Sequence, residues 1–167
     1  MASSNLQYAI DAIDPIDVVE TLAALHDWEF DRVADDQIAM AIEGSWRTYS
    51  VSLAMNHLDE TLRLICSFEL DPPAPRIPDL HAAINAANDR LWTGSFTWWG
   101  EQKLMAFRYG LALNGGAQPN ADQIDQVLSA AIVACERFYP AFQLVCWADQ
   151  SPEEALGIAM DEAYGRA

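Results

Sequence analysis

Two blocks of period-two alternation, separated by a proline-rich break, constrain this chain more than any other feature. In the first block Ile38, Met40 and Ile42 alternate with small residues, and Glu43, Gly44 and Ser45 interrupt them. Tyr49, Val51 and Leu53 then alternate with Thr48, Ser50 and Ser52, and Leu62, Leu64, Cys66, Phe68 and Leu70 alternate with Arg63, Ser67 and Glu69. Such a period sends successive side chains to opposite faces of a strand, so these segments read as an antiparallel meander. Asp71-Pro72-Pro73-Ala74-Pro75 cannot extend it, because three prolines remove ladder donors. In the second block Phe96 and Trp98 precede a turn at Gly100-Glu101-Gln102, and Met105, Phe107, Tyr109, Leu111 and Leu113 follow at period two. That pattern is a hairpin, closed by Asn114-Gly115-Gly116.

Helical spacing fills the remainder. Asp14 is placed as N-cap with Pro15 at the first helical position, ahead of Val18, Val19, Leu22 and Leu25. Leu80, Ile84, Ala87 and Leu91 share one face of a second helix beginning near Pro78. Asn120 caps a third, with Ile124, Val127, Leu128, Ala131, Cys135 and Phe138 inward, and Pro140 is expected to kink or break it. Ser151-Pro152-Glu153-Glu154 has the capping-box arrangement for a last helix, with Gly165 as its stop. Runs of strands separated by a few helices define an α+β fold. The expected architecture is an antiparallel sheet, meander plus hairpin, flanked by helices in the order α-β-β-β-β-α-β-β-α-α. One domain over residues 14–167 follows an N-terminal segment, 1–13, expected to be flexible.

Composition narrows the function classes. The chain has 25 Asp plus Glu against 9 Lys plus Arg, a net charge of −16 on 167 residues, and is nevertheless 51% hydrophobic with six Trp. Nucleic-acid binding is not expected, since it is driven by Lys and Arg releasing counterions. Disorder is not expected either, because aromatic and branched residues recur along nearly the whole length. Cys66, Cys135 and Cys146 are odd in number, lack a C-x-x-C and sit among apolar residues, which reads as core packing. No apolar run approaches the roughly 20 residues that span a bilayer. Residues 1–16 carry no Lys or Arg, unlike a signal or transit peptide. A cytoplasmic protein that does not dock on membranes is expected.

No catalytic constellation stands out. Asp35-Asp36 and Asp59-Glu60 have the look of turn acids, and His26, His57 and His81 lack metal-ligand spacing. No metal site, no cofactor and no enzyme activity is expected. The candidate binding residues are aromatic and amide. Trp98 and Trp99 are adjacent in a strand, so either helices cover both faces there or one indole lines a groove. Asn85 and Asn88 share a helical face, where an amide could bond a neighbouring strand or contact a ligand. Phe138, Tyr139 and Phe142 lie around Pro140 in either a kinked core helix or a surface bend that receives a partner.

Several strings resemble the YbjN family of small bacterial proteins. They include His26-Asp27-Trp28, Glu43-Gly44-Ser45-Trp46-Arg47, Cys66-Ser67-Phe68 and Asn85-Ala86-Ala87-Asn88-Asp89-Arg90-Leu91-Trp92. Glu136-Arg137-Phe138-Tyr139-Pro140-Ala141-Phe142-Gln143 and the Ser151–Leu156 cap complete the series. The resemblance implies a regulator with a fold similar to type III secretion chaperones, a homodimer, and no catalytic set. Two functions are therefore expected in competition. One is a chaperone-like or regulatory adaptor whose acidic surface attracts a basic segment of a protein partner. The other is a small-molecule sensor with a pocket between helix and sheet, lined by Trp98 or Trp99 and the Asn85-Asn88 face.

Overall fold

The computed structural model describes residues 14–164. The expected flexible segment 1–13 and the Gly165 stop lie outside them. Helix α1 (Pro15–Leu25) leads into strands β1 (Glu29–Ala34), β2 (Gln37–Glu43), β3 (Thr48–Asn56) and β4 (Thr61–Glu69). A 3₁₀ turn at Ala74–Arg76 introduces α2 (Ile77–Asn88), followed by β5 (Ser95–Trp99), β6 (Leu104–Ala112), α3 (Ala121–Trp147) and α4 (Pro152–Tyr164). The order is the one read from the sequence. All six strands form one antiparallel sheet, β1-β2-β3-β4-β6-β5, so the second hairpin joins the meander through β6 and leaves β1 and β5 as edges.

Local chemistry sets the boundaries. Asp14 Oδ1 accepts from the Ile16 amide at 2.9 Å, and Asn120 and Gln123 exchange side-chain and backbone bonds at 2.8 and 3.0 Å in a capping box. Ser151 and Glu154 exchange a second pair at the start of α4. Each box satisfies donors that a helix N-terminus leaves orphaned. Asp35-Asp36 makes the β1–β2 turn and His57–Glu60 the β3–β4 turn.

One face of the sheet is buried. Ile38, Met40, Ile42, Val51, Leu53 and Leu64 join Phe96 and Phe107 in a single core with the apolar sides of the helices. Phe96 is the hub, edge-on to Phe107, Phe138 and Phe142 at 5.2 to 5.8 Å, the offset geometry that aromatic quadrupoles favour. Gly94 is required beneath it. Its φ is +76°, and a Cβ there would enter the Phe107 ring.

Of the alternatives open at Pro140, the core helix is the one found: α3 continues through it from Ala121 to Trp147. Proline forfeits one intrahelical bond, but Phe138, Ala141 and Phe142 on either side are fully buried and hold both halves on the same core. One expectation needs correction: Leu25, read as part of the apolar face of α1, is instead 75% exposed at the last turn of that helix. The three cysteines are buried thiols, as expected, with Cys66 and Cys135 Sγ atoms 3.5 Å apart between β4 and α3. Burial pushes the Cys146 thiol up to about 11, which keeps it protonated and unreactive at neutral pH.

Candidate functional site

The sequence-selected residues do not converge on one cavity. Asn88 spends both ends of its amide on the β5 edge: Nδ2 donates to the Phe96 carbonyl at 3.0 Å and Oδ1 accepts from the Phe96 amide at 2.7 Å. It stands in for a neighbouring strand at that point of the edge. Asn85, one turn earlier, is exposed. Trp98 lies half-buried toward the helices, and its Nε1 donates to the Leu70 carbonyl at 2.9 Å. Trp99 is half-buried on the opposite face, paired across the hairpin with Leu104. Helices cover only one face, so the two adjacent indoles have different surroundings. Phe138 is fully buried in the core. Tyr139 is half-buried, facing Trp46 at 6.3 Å and Phe68 at 5.2 Å.

Beside this aromatic group the β2–β3 turn is tied to α3. Glu136 Oε1 accepts from the Tyr49 hydroxyl at 2.6 Å, and its Oε2 accepts from the Ser45 amide at 2.9 Å. A Cβ at Gly44 would collide with that carboxylate. Burial, and then the bond to Glu136, push the Tyr49 phenol far above its ordinary value. The arrangement ties the β2–β3 turn to α3.

An open concavity lies at the other edge, where sequence reasoning named no binding residue. Asp27, at φ +54°, reverses the chain after α1, and Trp28 stacks on His26 at 4.4 Å. β1 therefore runs back beside the helix. Arg32 fixes the spacing, with Nη1 donating to Asp17 and Glu20 at 2.9 Å each and Nη2 meeting Asp14 at 3.5 Å. The hydrogen bond to Asp17, reinforced by Glu20 and Asp14, raises the Arg32 guanidinium above its ordinary range. Between helix and strand remains a groove of about 570 Å³, lined by Ala24, Leu25 and Phe30 with Thr21, Asp17 and Glu20 at its rim. Phe30 is 38% exposed there. Asp27, Glu29, Asp31, Asp35 and Asp36 are exposed along and beside β1, and Arg32 is the one cation of that stretch. The sequence signal was present in weak form: Leu25 closes a helix immediately before a strand in which acids replace the alternation.

Among the described residues no group of three or more His, Cys, Asp and Glu could hold a metal ion. No helix among them is long and apolar enough to cross a membrane.

An antiparallel sheet covered on one face by helices defines an α+β fold. Residues 15–144 match the family described as "YbjN: Putative bacterial sensory transduction regulator", and the chain belongs to the YbjN family. Among solved structures it is similar to E. coli YbjN, titled a "putative transcription regulator", with a TM-score of 0.54 at 10% identity, covering 83% of this chain and 95% of that one. A HopA1–SchA chaperone–effector complex matches with a TM-score of 0.47 at 14% identity, covering 78% and 91%. No curated protein matches the sequence.

Proposed function

We propose that this chain is a non-enzymatic protein-interaction module, a cytoplasmic chaperone-like or regulatory adaptor of the YbjN type, that takes a basic amphipathic segment of another protein into the α1–β1 groove. The observation that carries this reading is an apolar floor with an acidic rim. Leu25 and Phe30 offer surface that water leaves readily, and Asp17, Glu20 and the β1 acids attract Lys and Arg to its margin. A net charge of −16 adds a long-range field of the same sign, which draws in cationic chains and is screened beyond a Debye length of about 8 Å at physiological salt. Three buried, unpaired thiols accord with a reducing compartment.

The test is capture of partners from the native cell by the tagged chain, run in parallel with Leu25→Asp and Phe30→Asp. The expected result is one dominant protein, released by high salt and lost from both variants. Retention of that protein by both variants would move the partner site elsewhere.

A further inference from the structure

The floor of the α1–β1 groove stands open while the core side of the same helix is closed. Leu25 is 75% exposed and Phe30 38%, against at most 8% for Ile16, Val19, Leu22 and Ala23. Asp14, the N-cap of α1, marks one end of that groove. Its backbone is extended, at φ −66° and ψ 123°, so the preceding chain leaves the helix axis there. Its carboxylate lies 3.5 Å from Arg32, which also holds Asp17 and Glu20 of the groove rim. The residues ahead of Asp14, Met1 to Ile13, have a composition unlike the rest of this acidic chain. Leu6, Tyr8, Ile10 and Ile13 are large and apolar, and Asp11 is the one charged side chain.

We propose that residues 1–13 lie across the α1–β1 groove and cover Leu25 and Phe30 until a basic partner segment displaces them. The displacement rests on the function proposed above; the intramolecular contact does not. Reach is ample. From Asp14 to Leu25 the helix rises about 16 Å, whereas the segment spans about 43 Å when fully extended. Covalent attachment holds it near the groove at an effective concentration of about a millimolar, so apolar contacts too weak to join separate molecules suffice within one. The segment brings no Lys or Arg to the acidic rim, and its hold is burial of apolar surface alone. A basic partner adds attraction to Asp17, Glu20 and the β1 acids, which the segment lacks. That difference lets the partner win. A second copy is the poorer occupant of this groove, because it approaches with a net charge of −16 of its own.

The experiment is the rate of N-ethylmaleimide labelling of Ala24→Cys in the full chain. Ala24 is exposed and lines the groove, and the three native thiols are buried. The rate is compared with that of the same chain carrying Leu6→Ser, Tyr8→Ser and Ile10→Ser together. Ile158→Cys, exposed on α4, is the control in both backgrounds. The three serines are expected to speed labelling at position 24 about tenfold and to leave position 158 unchanged. The ratio should persist at about 1 M salt, where the Debye length is about 3 Å. Equal rates at position 24, an equal acceleration at position 158, or a ratio that collapses in salt would overturn the proposal. Labelling uses no partner, so this contact can fail while capture through Leu25 and Phe30 holds, and the reverse.

Discussion

Toward the helices β3 presents Tyr49, Val51 and Leu53, none more than 2% exposed, while its other side presents Ser50 and Ser52. The same contrast holds across the sheet, where β2 turns Ile38, Met40 and Ile42 inward and Ala39 and Ala41 outward. Period-two alternation creates both faces at once, yet only one acquires a helical layer. The covered face is specified by volume, because interdigitated large side chains lose stability with each missing methylene. The open face carries only the small side chains of Ala39, Ala41, Ser50 and Ser52 at the centre of β2 and β3. Ala106, paired with Ser67 and Thr97 on the open side, is nevertheless fully buried.

Truncation on the two faces should therefore differ most. Phe107→Ala removes a fully buried ring that touches Phe96 and should cost about 3–5 kcal/mol. Ser52→Ala, on the open face, should stay within about 0.5 kcal/mol. Urea denaturation of both variants reads the difference, and equal losses would break the comparison.

A smaller effect is expected where the covered face meets the β2–β3 turn. Glu136→Ala leaves the Tyr49 hydroxyl and the Ser45 amide without their acceptor and should cost about 1–3 kcal/mol. In a double-mutant cycle with Tyr49→Phe the penalties should fall short of additivity, since the two groups share one bond.

The smallest effect is alkaline. Burial raises the Cys146 thiol from 9.0 to about 11, and the Tyr49 phenol is raised above 10.0. Both groups stay protonated in the fold at a pH where the unfolded chain releases the proton, so their contribution is fully present below pH 9.0 and declines above it. Denaturation midpoints should fall through that window. Cys146→Ala should flatten the first part of the fall and Tyr49→Phe the later part; unchanged slopes in both would show that neither group drives it.

Much of this was legible without coordinates because it is local. The Asn120 and Ser151 caps, the Asp35-Asp36 turn and the alternation of β2, β3, β4 and β6 each depend on residues within a few positions of one another. Pro140 left two readings open because proline's local cost is visible in sequence, whereas the core that buries Phe138, Ala141 and Phe142 around it is assembled from distant segments. Leu25 misled for the converse reason: its spacing fits the apolar face of α1, but whether anything stands opposite depends on where the sheet ends. The groove floor was hidden with it, and the β1 acids obscured the strand that forms its other wall.

The sequence by itself determined the kind and order of most elements, the acidic charge and the inward face of most strands, since these follow from side-chain period, capping chemistry and composition. Only the tertiary structure decided that the second hairpin joins through β6, that Asn88 closes the β5 edge on Phe96, and that Arg32 holds α1 beside β1. It alone left one sheet face bare. Those outcomes join residues far apart in the chain, and a contact between distant segments is selected by the shape and charge each presents once folded, which no local pattern encodes.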